Sequence, residues 1–415
     1  LGIFDIFTRN KSTTKEESRS IFGSTVINSI FSGSSGQDVS KEQAIRIAAV
    51  WSCVRVLSET VASLPISLYS KDENNNKIKL TNDPLNVLIG EQPSSLYNSF
   101  MFFERALIDL SFDGNFCAYI ERNKGGLPTA LHPIQYDDVD VFLSPDGREV
   151  YYEISQDSGN TYPVSGKVQS INMIHVKGLS FDGITGKSPI EVAAETLGIS
   201  LALDKHAGNW FKNGSQLGGV LKHPGTLKPE TAKRLRESWS SNYSGVSNAG
   251  KTAILEEGMD WVSRTVPNNQ AQFLESREYQ VSDICRIFRV PNHLVNDLSR
   301  ATYSNIEAQQ IDFVVHTITP WVKRIESELN AKLVPSNKRG EQYFKFNLNA
   351  ILRGDSKSRA DYYRTLINIG VLSPDEVRAF EDLNPMGGES EKVYMQSNMM
   401  PLDRLGEDTS RTNIG

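Results

Sequence analysis

Cysteine is scarce in this chain, with 3 among 415 residues. Cys53, Cys117 and Cys285 each stand alone in an apolar context. They form neither a disulfide framework nor a cysteine metal site, suit a reducing cytoplasm, and read as small buried hydrophobes. The 6 histidines offer no metal spacing either. His132, His175, His206, His223, His293 and His316 include no H-x-x-x-H or H-E-x-x-H pattern. No G-x-S-x-G turn is available to raise a serine nucleophile. No apolar run approaches the roughly 18 residues that a membrane-spanning helix needs. The apolar lead Leu1 to Phe7 is too short for a signal-peptide core. Positive charge is also lacking, the net charge being -6. A protein that grips DNA phosphates is normally basic, because its cations must displace the counterion atmosphere. An acidic chain with a DNA role should let DNA pass.

Two stretches imitate catalytic motifs and fail. Gly186-Lys187-Ser188 looks like the end of a phosphate-cradling loop. That loop requires a glycine five residues before Gly186, and Phe181 stands there, while Gly183 is too close to substitute. A turn and a helix cap account for the lysine and serine. Asp137, Asp138 and Asp140 suggest a metal-binding nuclease cluster, and on a strand Asp138 and Asp140 share a face. No second acidic cluster or basic partner accompanies them, so the expectation is a solvated strand edge. No nucleophile–base pair and no cofactor site emerges.

What is present is a succession of long helices. With 39% hydrophobic residues, the chain reads as a soluble globular protein of two or three domains. Residues 188–334 organise it. Ser188-Pro189-Ile190-Glu191 is a capping box with proline at the first helical position, opening a helix expected to run unbroken to Lys212. Gly218 to Lys222, Lys228 to Ser240, Thr252 to Leu255 and Trp261 to Val266 read as a β-α-β-β unit of about fifty residues, too small for a generous core. A second helix runs from about Asn269 to Phe288 and stops at Val290-Pro291. Asn292 to Tyr303 is a loop. Ser304 and Glu307 form another capping box, and the helix they open reaches about Leu333, with a kink at Pro320.

Upstream, residues 1–40 read as a polar arm. Lys41 to Ala62 reads as one helix. Strands are expected at Leu64 to Tyr69, Asn115 to Arg122, Val139 to Leu143, Val150 to Ile154 and Ile171 to Lys177. Asp83-Pro84 starts a short helix, and Asn98 or Ser99 caps another through Leu110. Downstream, Tyr343 to Leu348 is a strand, Asp355 to Asn368 a helix, and Ser373-Pro374-Asp375-Glu376 starts another. The stretch from Asn384 is polar and reads as partly disordered. The fold class is α+β.

Several motifs occur in an order that resembles the portal proteins of tailed double-stranded DNA bacteriophages. They are Ala48-Ala49-Val50-Trp51-Ser52-Cys53-Val54 through Leu64-Pro65, Asp113-Gly114-Asn115-Phe116, and Gly183-Ile184-Thr185-Gly186-Lys187-Ser188-Pro189. Ile254-Leu255-Glu256-Glu257-Gly258, Phe288-Arg289-Val290-Pro291 and Thr319-Pro320-Trp321 through Glu326-Ser327-Glu328-Leu329 continue the series. The resemblance implies an N-terminal arm (1–40), an α+β wing (41–187), a first stem helix (188–214), a clip (215–266) and a second stem helix (267–291). It further implies a channel loop (292–303), a long kinked wing helix (304–334), a strand returning to the wing (335–354), a helical crown (355–383) and a polar tail (384–415).

The implied role is a non-enzymatic ring of twelve copies at one capsid vertex of the virion, assembled in the host bacterial cytoplasm. Double-stranded DNA would pass through it during packaging and ejection. The implied partners are the terminase large subunit, the major capsid protein, head–tail connector proteins and a scaffold protein; no membrane and no cofactor is involved. In the channel loop, Asn296, Asp297, Leu298, Ser299, Arg300, Ala301 and Thr302 would form a collar around DNA. The clip holds seven basic and five acidic side chains, a local excess of cations in an acidic chain. Lys233, Arg234, Arg236 and Glu237 on its helix are the expected docking site for the motor. The competing readings are a packaging enzyme, either nuclease or ATPase, and a general nucleic-acid binder. Catalytic turnover without a partner would mark the enzyme, and steep salt-dependent DNA affinity the binder.

Overall fold

The first helix is two helices. The computed structural model describes residues 39–72, 76–155, 162–212, 219–243, 255, 258–263, 270–295, 309–348, 356–381 and 383–394. α1 (Lys41–Ala44) is held by a capping box between Ser40 and Gln43. α2 (Ala48–Ala62) begins only after Ile47 has taken up extended backbone, which buries the Ile47 side chain. Apolar burial thus breaks the helix expected from Lys41 to Ala62. β1 (Ile66–Lys71) and β2 (Lys77–Lys79) pair antiparallel. Asp83 caps α3 (Pro84–Gly90), and Asn98 caps α4 (Ser99–Phe112) by accepting from the Met101 N–H at 2.8 Å.

Two three-stranded sheets follow. β3 (Asn115–Arg122) is the centre of the first, flanked by β4 (Pro128–Ile134). β5 (Val139–Leu143), β6 (Val150–Ile154) and β7 (Gly166–Gln169) form the second, and β8 (Met173–Lys177) returns to the other side of β3. Alternation along β3 supplies both of its faces. Phe116 packs edge-on to Phe102 of α4, with ring centres 5.4 Å apart. Cys117, on the opposite face, joins Ile134, Val139, Tyr152, Ile154, Val168 and Met173 in a core between the two sheets. Asp138 is not on a strand. It ends a 3-10 turn, is buried, and accepts a hydrogen bond from the Tyr162 hydroxyl at 2.6 Å. Asp137 pairs with Lys41 at 2.7 Å, which leaves Asp140 alone on the exposed edge.

The expected first stem helix is also divided. α5 (Pro189–Val192) ends at Ala193, whose backbone leaves the helical region (φ -95, ψ 8), and α6 (Ala194–Lys212) resumes. Then come β9 (Gly219–Lys222), α7 (Pro229–Tyr243) and β10 (Asp260–Ser263); β9 and β10 pair antiparallel from Gly219↔Ser263 to Lys222↔Asp260. The strand expected at Thr252 to Leu255 lies outside the described residues, Leu255 excepted. α8 (Gln270–Phe288) matches its expected span closely. Residues 309–313 are helical, Val314–Ile318 make a π-helical turn, and α9 (Thr319–Lys332) carries Pro320 in its first turn. β11 (Gln342–Phe346) completes a sheet of order β11-β1-β2. No described helix is long and apolar enough to cross a membrane.

α9 serves two sheets at once. Its residues 324, 328 and 332 recur every fourth position and so share one face. Arg324 donates to the carbonyls of Lys177 and Gly178, and the Glu328 carboxylate accepts from the His175 N–H at 3.1 Å. Lys332 donates to the Ser170 carbonyl at 2.6 Å. These side chains satisfy the free edge of β8 and the turn leading into it. On another side of α9, Glu326 accepts from the Phe346 N–H at 2.9 Å, and Asn330 accepts from the Phe344 N–H at 2.7 Å. Those are the outward groups of β11. Val322, Ile325 and Leu329 fill the core between.

The segment after residue 347 is a separate compact unit. Its α10 (Ser356–Asn368) and α11 (Pro374–Phe380) are joined by a short turn, and Ser373 and Glu376 close a capping box at α11. Asp375 accepts from the N–H groups of Met386 and Gly387 at 2.9 and 2.8 Å. The arm 1–38 and the tail beyond residue 394 lie outside the described residues.

The role given to α9 can be checked by mutation. Asn330→Ala leaves the Phe344 N–H without its acceptor, and the expected cost is about 1–3 kcal/mol in urea unfolding. Ser327→Ala, at an exposed position of the same helix, should stay within about 0.5 kcal/mol of wild type.

Candidate functional site

The turn that leads into α5 is held by a buried polar chain. Asn115, at the start of β3, uses its amide as a substitute peptide. Its Oδ1 accepts from the Gly186 N–H at 2.7 Å, and its Nδ2 donates to the Gly186 carbonyl at 2.8 Å. Asn115 Oδ1 also faces His175 Nε2 at 3.0 Å, so that nitrogen carries the proton. His175 Nδ1 then accepts from the Tyr152 hydroxyl at 3.2 Å. One residue past Gly186's neighbour, Ser188 Oγ donates to the Phe112 carbonyl at 2.5 Å and accepts from the Glu191 N–H at 3.2 Å. The expected return bond from Glu191 to Ser188 is not formed, so only half of the capping box exists. Backbone crowding completes the joint. A Cβ on Gly186 would lie 2.0 Å from the Gly114 carbonyl oxygen, which demands glycine. Gly186 and Ser188 therefore serve a crossing of chain segments, and the resemblance to a phosphate loop has no geometric basis.

The second part is the bracket of the segment 292–303. α6 and α8 run antiparallel, tied by Ser200 to Gln280 at 2.9 Å and by Arg277 to Asp204 at 3.0 Å. At its other end α8 abuts α2, where Cys53 and Cys285 are buried with sulfurs 3.9 Å apart. These two cysteines are neighbours and not isolated as the sequence suggests, and the contact with Cys285, with burial, pushes the Cys53 thiol well above its usual pKa. α8 ends at Arg289, the one described non-glycine residue with positive φ (55°). The chain reverses there, and Asn292 donates to Ser282 at 2.8 Å. His293 Nδ1 meets Gln309 Oε1 at 2.8 Å, and Thr317 Oγ1 donates to the Arg289 carbonyl at 2.7 Å. The described residues on either side of 296–308 are thus joined to each other. Asn296, Asp297, Leu298, Ser299, Arg300, Ala301 and Thr302 lie outside the described residues, as do Ser304 and Glu307. Pro320 follows the π-helical turn Val314–Ile318 after one residue, Thr319. Proline has no N–H to donate and its ring crowds the carbonyl four residues back, and a widened turn accommodates both.

The third part is α7. Lys233, Arg234, Arg236 and Glu237 are all exposed, and none makes an ion pair or hydrogen bond among the described residues. Four charges on one small helix are left available to a partner. Sequence reasoning did not find the Asn115–His175–Tyr152 chain, because nothing in the sequence places residues 60 apart side by side. The Arg324, Glu328, Lys332 spacing was a usable signal, but it reads equally well as a solvated helix face.

These features are a buried joint, a bonded helix end and an exposed charged face. The family model described as "Phage portal protein" matches residues 48–382. The portal protein of Enterobacteria phage HK97 is 30% identical over 380 residues, covering 91% of this chain and 88% of that one. This chain belongs to the phage portal protein family. Two solved structures share its fold. One is the crystal structure of an HK97 family phage portal protein from Corynebacterium diphtheriae, with a TM-score of 0.57 at 17% identity, covering 76% of this chain and 97% of that one. The other is a chain from the neck of a native gene transfer agent particle computed with C12 symmetry, with a TM-score of 0.55 at 21% identity, covering 87% and 99%.

The buried chain at the turn before α5 has a pH signature. Burial, with Lys177 and Lys332 nearby, lowers the His175 pKa from 6.5 to about 3. The unfolded chain therefore binds this proton first, and stability is lost as pH falls from 6.5 toward 3, by about 1.4 kcal/mol per pH unit. Burial raises Asp109 from 3.8 to about 6, so Asp109 acts with the opposite sign between those values. His175→Gln removes only the first effect. Urea midpoints at a series of pH values should show a shallower loss toward acid in the variant than in wild type.

Proposed function

We propose that twelve copies of this chain close into a ring at one vertex of a phage capsid, and that double-stranded DNA passes through the ring axis during packaging and ejection. Family membership across residues 48–382 supports this reading most strongly. The number twelve is supported by the similar fold found in a neck computed with C12 symmetry. Heterologous interfaces close into rings when their rotation closes.

In this reading, residues 41–187 are the wing, 188–214 and 267–291 the stem, and 215–266 the clip. Residues 304–334 are the long wing helix, 335–354 return a strand to the wing, and 355–383 are the crown. The ring is structural. Its energy comes from a separate ATPase, the terminase large subunit, which docks on α7 through Lys233, Arg234, Arg236 and Glu237. Head–tail connector proteins later take that place, the capsid protein holds the wing, and a scaffold protein guides assembly in the host cytoplasm. In this reading residues 296–302 face the axis; the bonds His293–Gln309 and Thr317–Arg289, which join the segments before and after them, support it. Asp297 and Arg300 offset each other in charge, so a collar of these loops contacts DNA without gripping its phosphates. Such contacts carry no base information and let DNA slide.

A packaging assay tests the reading. Deleting residues 298–302 should leave rings intact and impair packaging or retention of full-length DNA. A deletion ring that packages and retains DNA normally removes the loop from the channel. In the same assay, Arg234→Glu with Arg236→Glu should leave rings intact and weaken motor binding.

A further inference from the structure

The sheet β11-β1-β2 has one face in the core and one in solvent. Leu68, Phe344 and Phe346 point inward and are buried. The alternate positions carry Tyr69 and Lys71 on β1, Lys77 and Lys79 on β2, and Tyr343 and Lys345 on β11. The four lysines are exposed. Pairing register sets them in a block: Lys71 lies opposite Lys77, and Tyr69 lies between Lys79 and Tyr343. Neighbouring strands are about 4.8 Å apart and alternate residues about 6.7 Å, so the ammonium groups crowd one another. Burial and the nearby Lys345 both lower the Lys77 pKa. No carboxylate lies within ion-pair distance of any of the four among the described residues. Lys77 instead sits 3.7 Å above the Tyr69 ring. The face continues into an open groove of about 460 Å³, lined in part by Lys71, Arg339 and Tyr343. This is a concentrated cationic face on a chain whose net charge is -6.

We propose that this sheet face binds an acidic segment of a partner protein, an extended run rich in aspartate and glutamate, with one carboxylate seated in the groove between Lys71 and Arg339. Charge complementarity gives the occupant its sign. Geometry distinguishes carboxylates from nucleic acid. Proteins that hold single strands offer free aromatic faces for bases. Here Tyr69 carries Lys77 on its face and has Tyr343 stacked beside it, with ring centres 6.0 Å apart. The groove is a local concavity that accepts a side chain, and a rigid duplex cannot enter it. Lysine suits this task, since it presents a point charge that follows a mobile acidic chain without demanding paired geometry.

The test uses the full-length chain and fluorescein-labelled deca-glutamate, read by anisotropy at low salt, with a labelled short DNA duplex as the second probe. Wild type should bind the peptide saturably and in preference to the duplex. The variant Lys71→Gln, Lys77→Gln, Lys345→Gln should bind it roughly tenfold more weakly, as expected from three exposed ion pairs. Lys124→Gln with Arg148→Gln, which removes two exposed cations from turns outside this sheet, should leave peptide binding unchanged. Circular dichroism and light scattering establish that each variant keeps its fold and assembly. No peptide binding by wild type, or equal loss in both variants, overturns the proposal. Preference for the duplex assigns the face to nucleic acid and overturns it too. Loss of self-assembly in the triple variant assigns the face to a second copy of the chain, with the same consequence.

Discussion

The structure depends on one helix finishing two sheets. An exposed strand edge presents unpaired N–H and carbonyl groups that must be satisfied or protected. In this chain the edges of β8 and β11 both receive side chains from α9. Arg324, Glu328 and Lys332 serve one edge, and Glu326 and Asn330 serve the other. Three of these groups are substantially buried, which is costly for charges unless each is paired or hydrogen-bonded. Burial accordingly raises the Glu328 carboxyl pKa and lowers the Lys332 ammonium pKa. The position of α9 is therefore set by polar geometry as well as by apolar contact, and the two sheets cannot slide along it independently.

That constraint reaches α5 in a few steps. Arg324 holds the carbonyls of Lys177 and Gly178, where β8 ends. Glu328 holds the backbone of His175, whose ring supports Asn115, which in turn clamps Gly186. Two residues later Ser188 caps α5. At its other end, the helical segment that leads into α9 carries Gln309 and Thr317, which bond to His293 and to the Arg289 carbonyl. The turn before α5 and the end of α8 are thus both tied to the same helical run.

Much of the frame was legible in the sequence. β3, β5 and β6 have the bounds their alternation suggested, and Asp83, Asn98, Ser188 and Ser373 cap helices where short polar residues precede periodic apolar ones. The failures have physical causes. Ile47 and Ala193 interrupt helices that propensity alone would continue, Ile47 because burying it required extended backbone. Asp138 read as a solvated edge, yet Tyr162, distant in sequence, gives it a buried partner. Cys53 and Cys285 read as solitary because 232 positions separate them. The site was legible as segments, through the order of its motifs. The contacts that hold those segments were not, because Asn115, His175 and Gly186 meet only once three separate stretches have folded.

The ring is the central claim, and its mass tests it most directly. Twelve copies of a 46.2 kDa chain give about 554 kDa. Native mass spectrometry of the purified full-length protein should show a closed oligomer near that value. A population of monomers and dimers alone, persisting at high protein concentration, would contradict the account.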